Sequence, residues 1–137
     1  MLALSLAVAA GCNTGDKDGP VDVIFDRDAC ARCSMIISDR HFVAEVRGGP
    51  RREVAKFDDI GCAITWLDAQ PFASDPTTRI WVARLDDGSW VDARASRFAG
   101  GKTSPMGYGF AAVIDTEGVD FQAVQQHVRA MAQRRNK

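Results

Sequence analysis

Arg40-His41-Phe42-Val43-Ala44-Glu45-Val46-Arg47, the turn Gly48-Gly49-Pro50, the return Glu53-Val54-Ala55-Lys56-Phe57 and the run Asp58-Asp59-Ile60-Gly61-Cys62-Ala63-Ile64-Thr65-Trp66-Leu67 form the stretch that decides the fold. Phe42, Ala44 and Val46 alternate with His41, Val43, Glu45 and Arg47, the period-two pattern of a half-buried strand. Gly-Gly-Pro is turn chemistry, so Glu53 to Phe57 is expected to return as the second arm of a hairpin. Asp58 is the expected N-cap of the helix that follows, its acidic pair placed at the positive dipole end. Ile60, Ala63, Ile64 and Leu67 share one helical face. Cys62 and Trp66 lie on another, so Cys62 is expected either under a second cover or facing a pocket. Pro71 stops the helix.

Outward from this stretch the pattern stays mixed. Val21 to Phe25 reads as a short first strand. Arg79 to Leu85 is rich in β-formers and reads as a central strand covered on both sides, with Asp87-Gly88 turning it into a return strand at Trp90 to Ala93. Gly100 to Gly109 holds four glycines and one proline, a loop whose backbone needs freedom or a close approach. Phe110 to Ile114 is apolar strand, and Asp120 to Arg134 a helix with Phe121, Val124, Val128 and Met131 as its buried stripe. Interleaved strands and two helices predict an α+β fold with a small, mainly antiparallel sheet. The three tryptophans, Trp66, Trp81 and Trp90, read as core or partner surface.

With 137 residues the chain suits one domain. Its formal net charge is -1, from 17 basic and 18 acidic side chains, and no basic stripe marks a nucleic-acid footprint. The basic end Arg134-Arg135-Asn136-Lys137 reads as a solvated helix terminus. No phosphate loop, paired carboxylates or Ser/His/Asp order stands out, so no catalytic constellation is predicted.

The chemistry concentrates in Cys30-Ala31-Arg32-Cys33-Ser34-Met35, with three sulfurs in six residues. Thiolates and thioethers are soft donors that select soft ions such as Cu(I). Cys-x-x-Cys brings two sulfurs onto one turn, and Met35 can add a third, weaker ligand. A structural zinc site would want a second ligand pair, and a c-type haem would want His after the second cysteine, where Ser34 stands. A thiol-disulfide oxidoreductase using Cys30 and Cys33, or a plain structural bridge, remains open on spacing alone. His41, six residues after Met35, is a further possible copper ligand, whereas His127 flanks the buried stripe of the last helix and reads as surface. Asp58 and Asp59 have a second possible role supporting a metal.

Residues 1–10 are apolar and small and end in Ala9-Ala10-Gly11-Cys12. Ten such residues fall short of a spanning helix, which needs about twenty. The segment resembles a bacterial lipoprotein signal, with residues 1–11 removed and Cys12 lipidated. Residues 12–20 then read as a flexible spacer and 21–137 as the folded domain. Three cysteines remain in the body of the chain, an odd number that does not pair off as a disulfide framework.

Taken together, Ala10-Gly11-Cys12, the sulfur stretch from Cys30 to Met35, Phe57-Asp58-Asp59-Ile60-Gly61-Cys62 and Ser104-Pro105-Met106-Gly107-Tyr108-Gly109-Phe110 resemble the NosL family, the nitrous-oxide-reductase accessory lipoproteins, in order and spacing. The family usually carries Gly where this chain has Ser34. The resemblance implies a membrane-tethered, periplasm-facing Cu(I) chaperone. The implied recipient is the copper-loading membrane complex that matures nitrous oxide reductase, and the implied fold is similar to that of the organomercurial lyase. It places a motif at Met106, so the expected ligands are Cys30, Cys33, Met35 and Met106, with Cys62 and His41 as further possibilities.

Overall fold

The computed structural model describes residues 17–137; the expected signal and the lipidation site Cys12 lie outside the described residues. The elements run β1 (Ala44–Gly48), β2 (Glu53–Phe57), α1 (Ile60–Asp68), β3 (Arg79–Ala83), β4 (Trp90–Asp92), β5 (Arg97–Ala99), β6 (Ala111–Val113), β7 (Val119–Asp120) and α2 (Phe121–Arg135). This is the expected small α+β fold: two helices and two antiparallel sheets, of order β2-β1-β3-β4 and β6-β5-β7. The sheets meet where Arg84 bridges Ala112 in parallel and Leu85 N donates to Ala112 O at 2.9 Å. No helix among the described residues is long and apolar enough to cross a membrane.

Register divides the larger sheet into two unlike faces. Ala44 pairs with Phe57 and Val82, and Val46 with Ala55 and Ile80, so one face is apolar. Helix α1 packs on β1 and β2 and meets α2, and Ile60, Ala63, Ile64 and Leu67 join Phe121, Val124 and Val128 in one core. Arg129 and Asp68 tie the helices from outside through two 2.8 Å hydrogen bonds. The opposite face carries Glu45, Arg47, Lys56 and Trp81. It is not solvated as an alternating strand would imply, since Glu45 is fully buried.

The cover is the segment before the sulfur stretch. Gly19 O accepts from Arg47 Nη2 at 2.8 Å, Val21 N donates to Glu45 Oε2 at 2.9 Å, and Asp22 O accepts from Lys56 Nζ at 2.7 Å. The strand expected at Val21 to Phe25 therefore does not form. Its backbone is satisfied by side chains of the sheet face, and a turn at Ile24 to Asp28, with Asp26 at φ 63°, ends the extended course. β1 begins at Ala44, later than the alternation from Arg40, because Asp39 accepts His41 N and makes a turn there.

Candidate metal centre

The sulfur stretch folds as a tight hairpin loop. Ala29 and Ile36 form an antiparallel bridge, Cys30 N donates to Met35 O at 2.8 Å, and Ser34 N donates to Cys30 O at 2.9 Å. The last bond folds the tip back, so Cys33 returns toward Cys30. Ser34 makes the closure possible at φ 64°, in the left-handed region that favours glycine. Ala31 N donates to Lys56 O at 2.8 Å and fastens the loop beside the end of β2, one residue before Phe57-Asp58.

Helix α1 starts at that junction, capped by Asp59 rather than by the expected Asp58. Asp59 Oδ1 accepts from Gly61 N at 2.9 Å. Asp58 is thereby released from capping and turns its carboxylate to the loop, where Oδ2 lies 3.4 Å from Cys33 Sγ. Cys62, in the first turn of α1, points the same way. The Sγ atoms of Cys30, Cys33 and Cys62 and a carboxylate oxygen of Asp58 all lie within 4.8 Å of one another. Cys30, Asp58 and Cys62 are buried and Cys33 is half-buried, so the group has one accessible side.

Three thiols and a carboxyl in one buried place cannot all be anionic. The hydrogen bond from Cys62 holds Cys30 well below the usual thiol range. Burial pushes the Cys33 thiol up, and donation to Cys30 together with burial pushes Cys62 up further. Burial also raises the Asp58 carboxyl, with the neighbouring Cys30 sulfur adding to it. Asp58 Oδ1 is buried without a hydrogen-bond partner. A cation among these donors would receive that orphaned oxygen and replace the thiol protons of Cys33 and Cys62, Cys30 being already a thiolate. A tetrahedral ion at about 2.3 Å from sulfur needs donor separations of about 3.8 Å. The four atoms reach that by closing an ångström or less at the widest pair. The group can therefore hold a metal ion, and its uptake would release protons.

The sequence-predicted residues divide accordingly. Cys30 and Cys33 are in the group, and Cys62 joins them from its off-face helix position. Met35 contributes its carbonyl to the loop, and the residue is 55% exposed. Met106 packs partly buried against the core, its N donating to Asp59 Oδ2 at 3.2 Å beside the 2.6 Å bond from Ser104 Oγ. This places the 104–109 loop on the cap of α1. Tyr108 lies over Gly61, where a Cβ would come within 2.1 Å of the ring. His41 sits in the turn before β1, outside the thiol group, and His127 is exposed with its ring edge-on to Phe110. For Cys62 the sequence signals are its place off the apolar stripe and the Phe57–Cys62 motif; Asp58, expected as the cap or in support of a metal, stands among the donors themselves.

A scan of protein-family models and a search of curated proteins give no match to this chain.

Proposed function

We propose that the chain is a NosL-type Cu(I)-binding chaperone, tethered to the cell envelope through Cys12 and supplying copper to the membrane complex that matures nitrous oxide reductase. The supporting observation is the convergence of three cysteine sulfurs on one half-open site. Soft sulfur donors favour a soft monovalent ion. The order and spacing of the four motifs from Cys12 to Phe110 support the client, and the left-handed Ser34 fits a position where that family carries Gly. Met35 and Met106, the remaining expected ligands, would add thioethers; Met35 stands two residues after Cys33 in the loop, and Met106 N is bound at the α1 cap.

Copper is cargo here, and the chain's residues grip and release it. Cys30 and Cys62 hold the ion from the buried side. Cys33 stands at the mouth, where an incoming sulfur from the recipient replaces it first. Asp58 Oδ2, 3.4 Å from Cys33 Sγ, accepts the hydrogen bond of that thiol once the released sulfur has regained a proton from solvent. A dithiol oxidoreductase fits less well. Its attacking sulfur needs to be both accessible and acidic. In this chain the acidic thiol, Cys30, is buried, the accessible one, Cys33, is raised, and neither begins a helix.

Zn(II) is the second reading, because Asp58 completes a four-donor set of a kind zinc accepts. Anaerobic titration with Cu(I) in the presence of Zn(II) tests the choice. One tightly held Cu(I) per chain that expels zinc supports the chaperone. Retained zinc under equimolar Cu(I), or a metal-free protein that reduces a test disulfide, contradicts it.

A further inference from the structure

The residue that holds the sulfur loop also holds the segment that precedes it. Lys56 O accepts from Ala31 N at the loop tip at 2.8 Å. Lys56 Nζ reaches the other face and binds Asp28 Oδ2 at 2.6 Å and Asp22 O at 2.7 Å. Asp28 is the foot of the loop: its carbonyl accepts from Ile37 N at 2.8 Å, and Oδ2 also accepts from Ile24 N at 2.9 Å. The ion pair is largely covered, with 22% and 25% of its side chains exposed, so solvent screens it less than a surface pair. Upstream, residues 18–22 lie as a strap across the polar sheet face. Asp18 binds Arg52 Nη2 at 2.7 Å, Gly19 O binds Arg47, and Val21 N binds Glu45. Among the described residues no strand pairs with this segment, so the strap is held by side-chain bonds that can break one at a time.

We propose that Lys56 is a positioning residue that couples the 18–22 strap to the metal loop, so that detaching the strap loosens the loop's hold on its ion. One ammonium serves both segments, so losing the Asp22 carbonyl and the cover above it exposes the Lys56–Asp28 pair to water and weakens the foot of the loop. The consequence for copper rests on the proposed function, in which the chain is tethered through Cys12, a few residues before the strap. A pull on the tether, or docking at the polar face, would then reach the thiols through Lys56. The path needs no change in the core beneath the other face.

Lys56→Met in the full chain tests this, with Lys56→Arg as the rescue and Arg47→Met as a variant that frees the strap without touching Lys56. Amide exchange at Val21 and Ala31 is followed by NMR, and copper transfer to the chelator bathocuproine disulfonate by absorbance. Lys56→Met and Arg47→Met are expected to speed exchange at both amides. They should raise the transfer rate at least 5-fold with one copper still bound per chain, and Lys56→Arg should restore both. Faster exchange at Val21 with unchanged exchange at Ala31 and unchanged transfer overturns the coupling. If Lys56→Met does not fold, Arg47→Met decides alone. If the parent chain binds no copper, the proposed function fails, and the Val21–Ala31 exchange comparison still decides the coupling.

Discussion

Asp58 and Asp59 are neighbours in the chain and aim their carboxylates at different partners. Asp59 accepts from Gly61 N, Ser104 Oγ and Met106 N, whereas Asp58 accepts from the Cys33 thiol. The first ties a helix to a distant loop, and the second faces the sulfur group. Asp59→Ala should therefore cost about 1–2 kcal/mol of stability from the lost cap alone. Asp58→Asn should leave the thermal midpoint close to that of the parent and weaken Zn(II) binding far more than Cu(I) binding, since the oxygen donor matters most to the harder ion. Thermal melts and competitive metal titrations on the two variants check the division.

Ser34 predicts a stabilising substitution. At φ 64° a side chain is strained, and Ser34 itself is exposed. Ser34→Gly should raise stability by about 0.5–1 kcal/mol in urea unfolding, the strain relieved being offset in part by a freer unfolded chain. Ser34→Val should lower it. Metal stoichiometry should be unchanged in the glycine variant.

Glu45 predicts a pH dependence. Burial raises its carboxyl to about 7 from the ordinary 4.5, with Val21 N, Lys56 and Arg47 opposing and Asp22 adding. The folded chain therefore holds a proton that the unfolded chain has already released between these values. The stability linked to Glu45 is full below about 4.5 and is lost as pH rises through about 7, with a slope of at most about 1.4 kcal/mol per pH unit. Glu45→Gln should flatten that decline and stabilise the chain most at pH 8. Thermal midpoints at pH 5 and pH 8, parent against variant, measure it.

Gly61 predicts a steric break. An added Cβ would collide with the Tyr108 ring, over which the Arg135 guanidinium lies at 4.8 Å. Gly61→Ala should cost about 1–3 kcal/mol or drive Tyr108 off the helix. Near-ultraviolet circular dichroism of the tyrosine band, read with a urea melt, checks which occurs.

Much of the fold was legible because its parts are long or punctuated. Gly48-Gly49-Pro50 marks the β1–β2 hairpin, the Ile60 to Leu67 spacing marks α1, and Asp120 marks the start of α2. β5 and β7 were not legible, since three and two residues are too few to show alternation. Val21 to Phe25 misled because its apolar positions look like a strand, while Val21 and Asp22 bond side chains 24 and 34 residues away and Ile24 bonds the turn that follows. In the site, Cys30 and Cys33 announce themselves by spacing. Asp58 and Cys62 do not, because their roles depend on where α1 is capped and on the Ala31–Lys56 bond that lays the loop beside it.

X-ray absorption at the copper edge of the anaerobically loaded full chain, parent against Cys62→Ser, tests the central claim most directly. The parent should show a shell of at least three sulfurs at about 2.3 Å, and the variant should lose one of them while remaining folded. A copper shell that is the same in both proteins, or one of nitrogen and oxygen alone, would contradict the account.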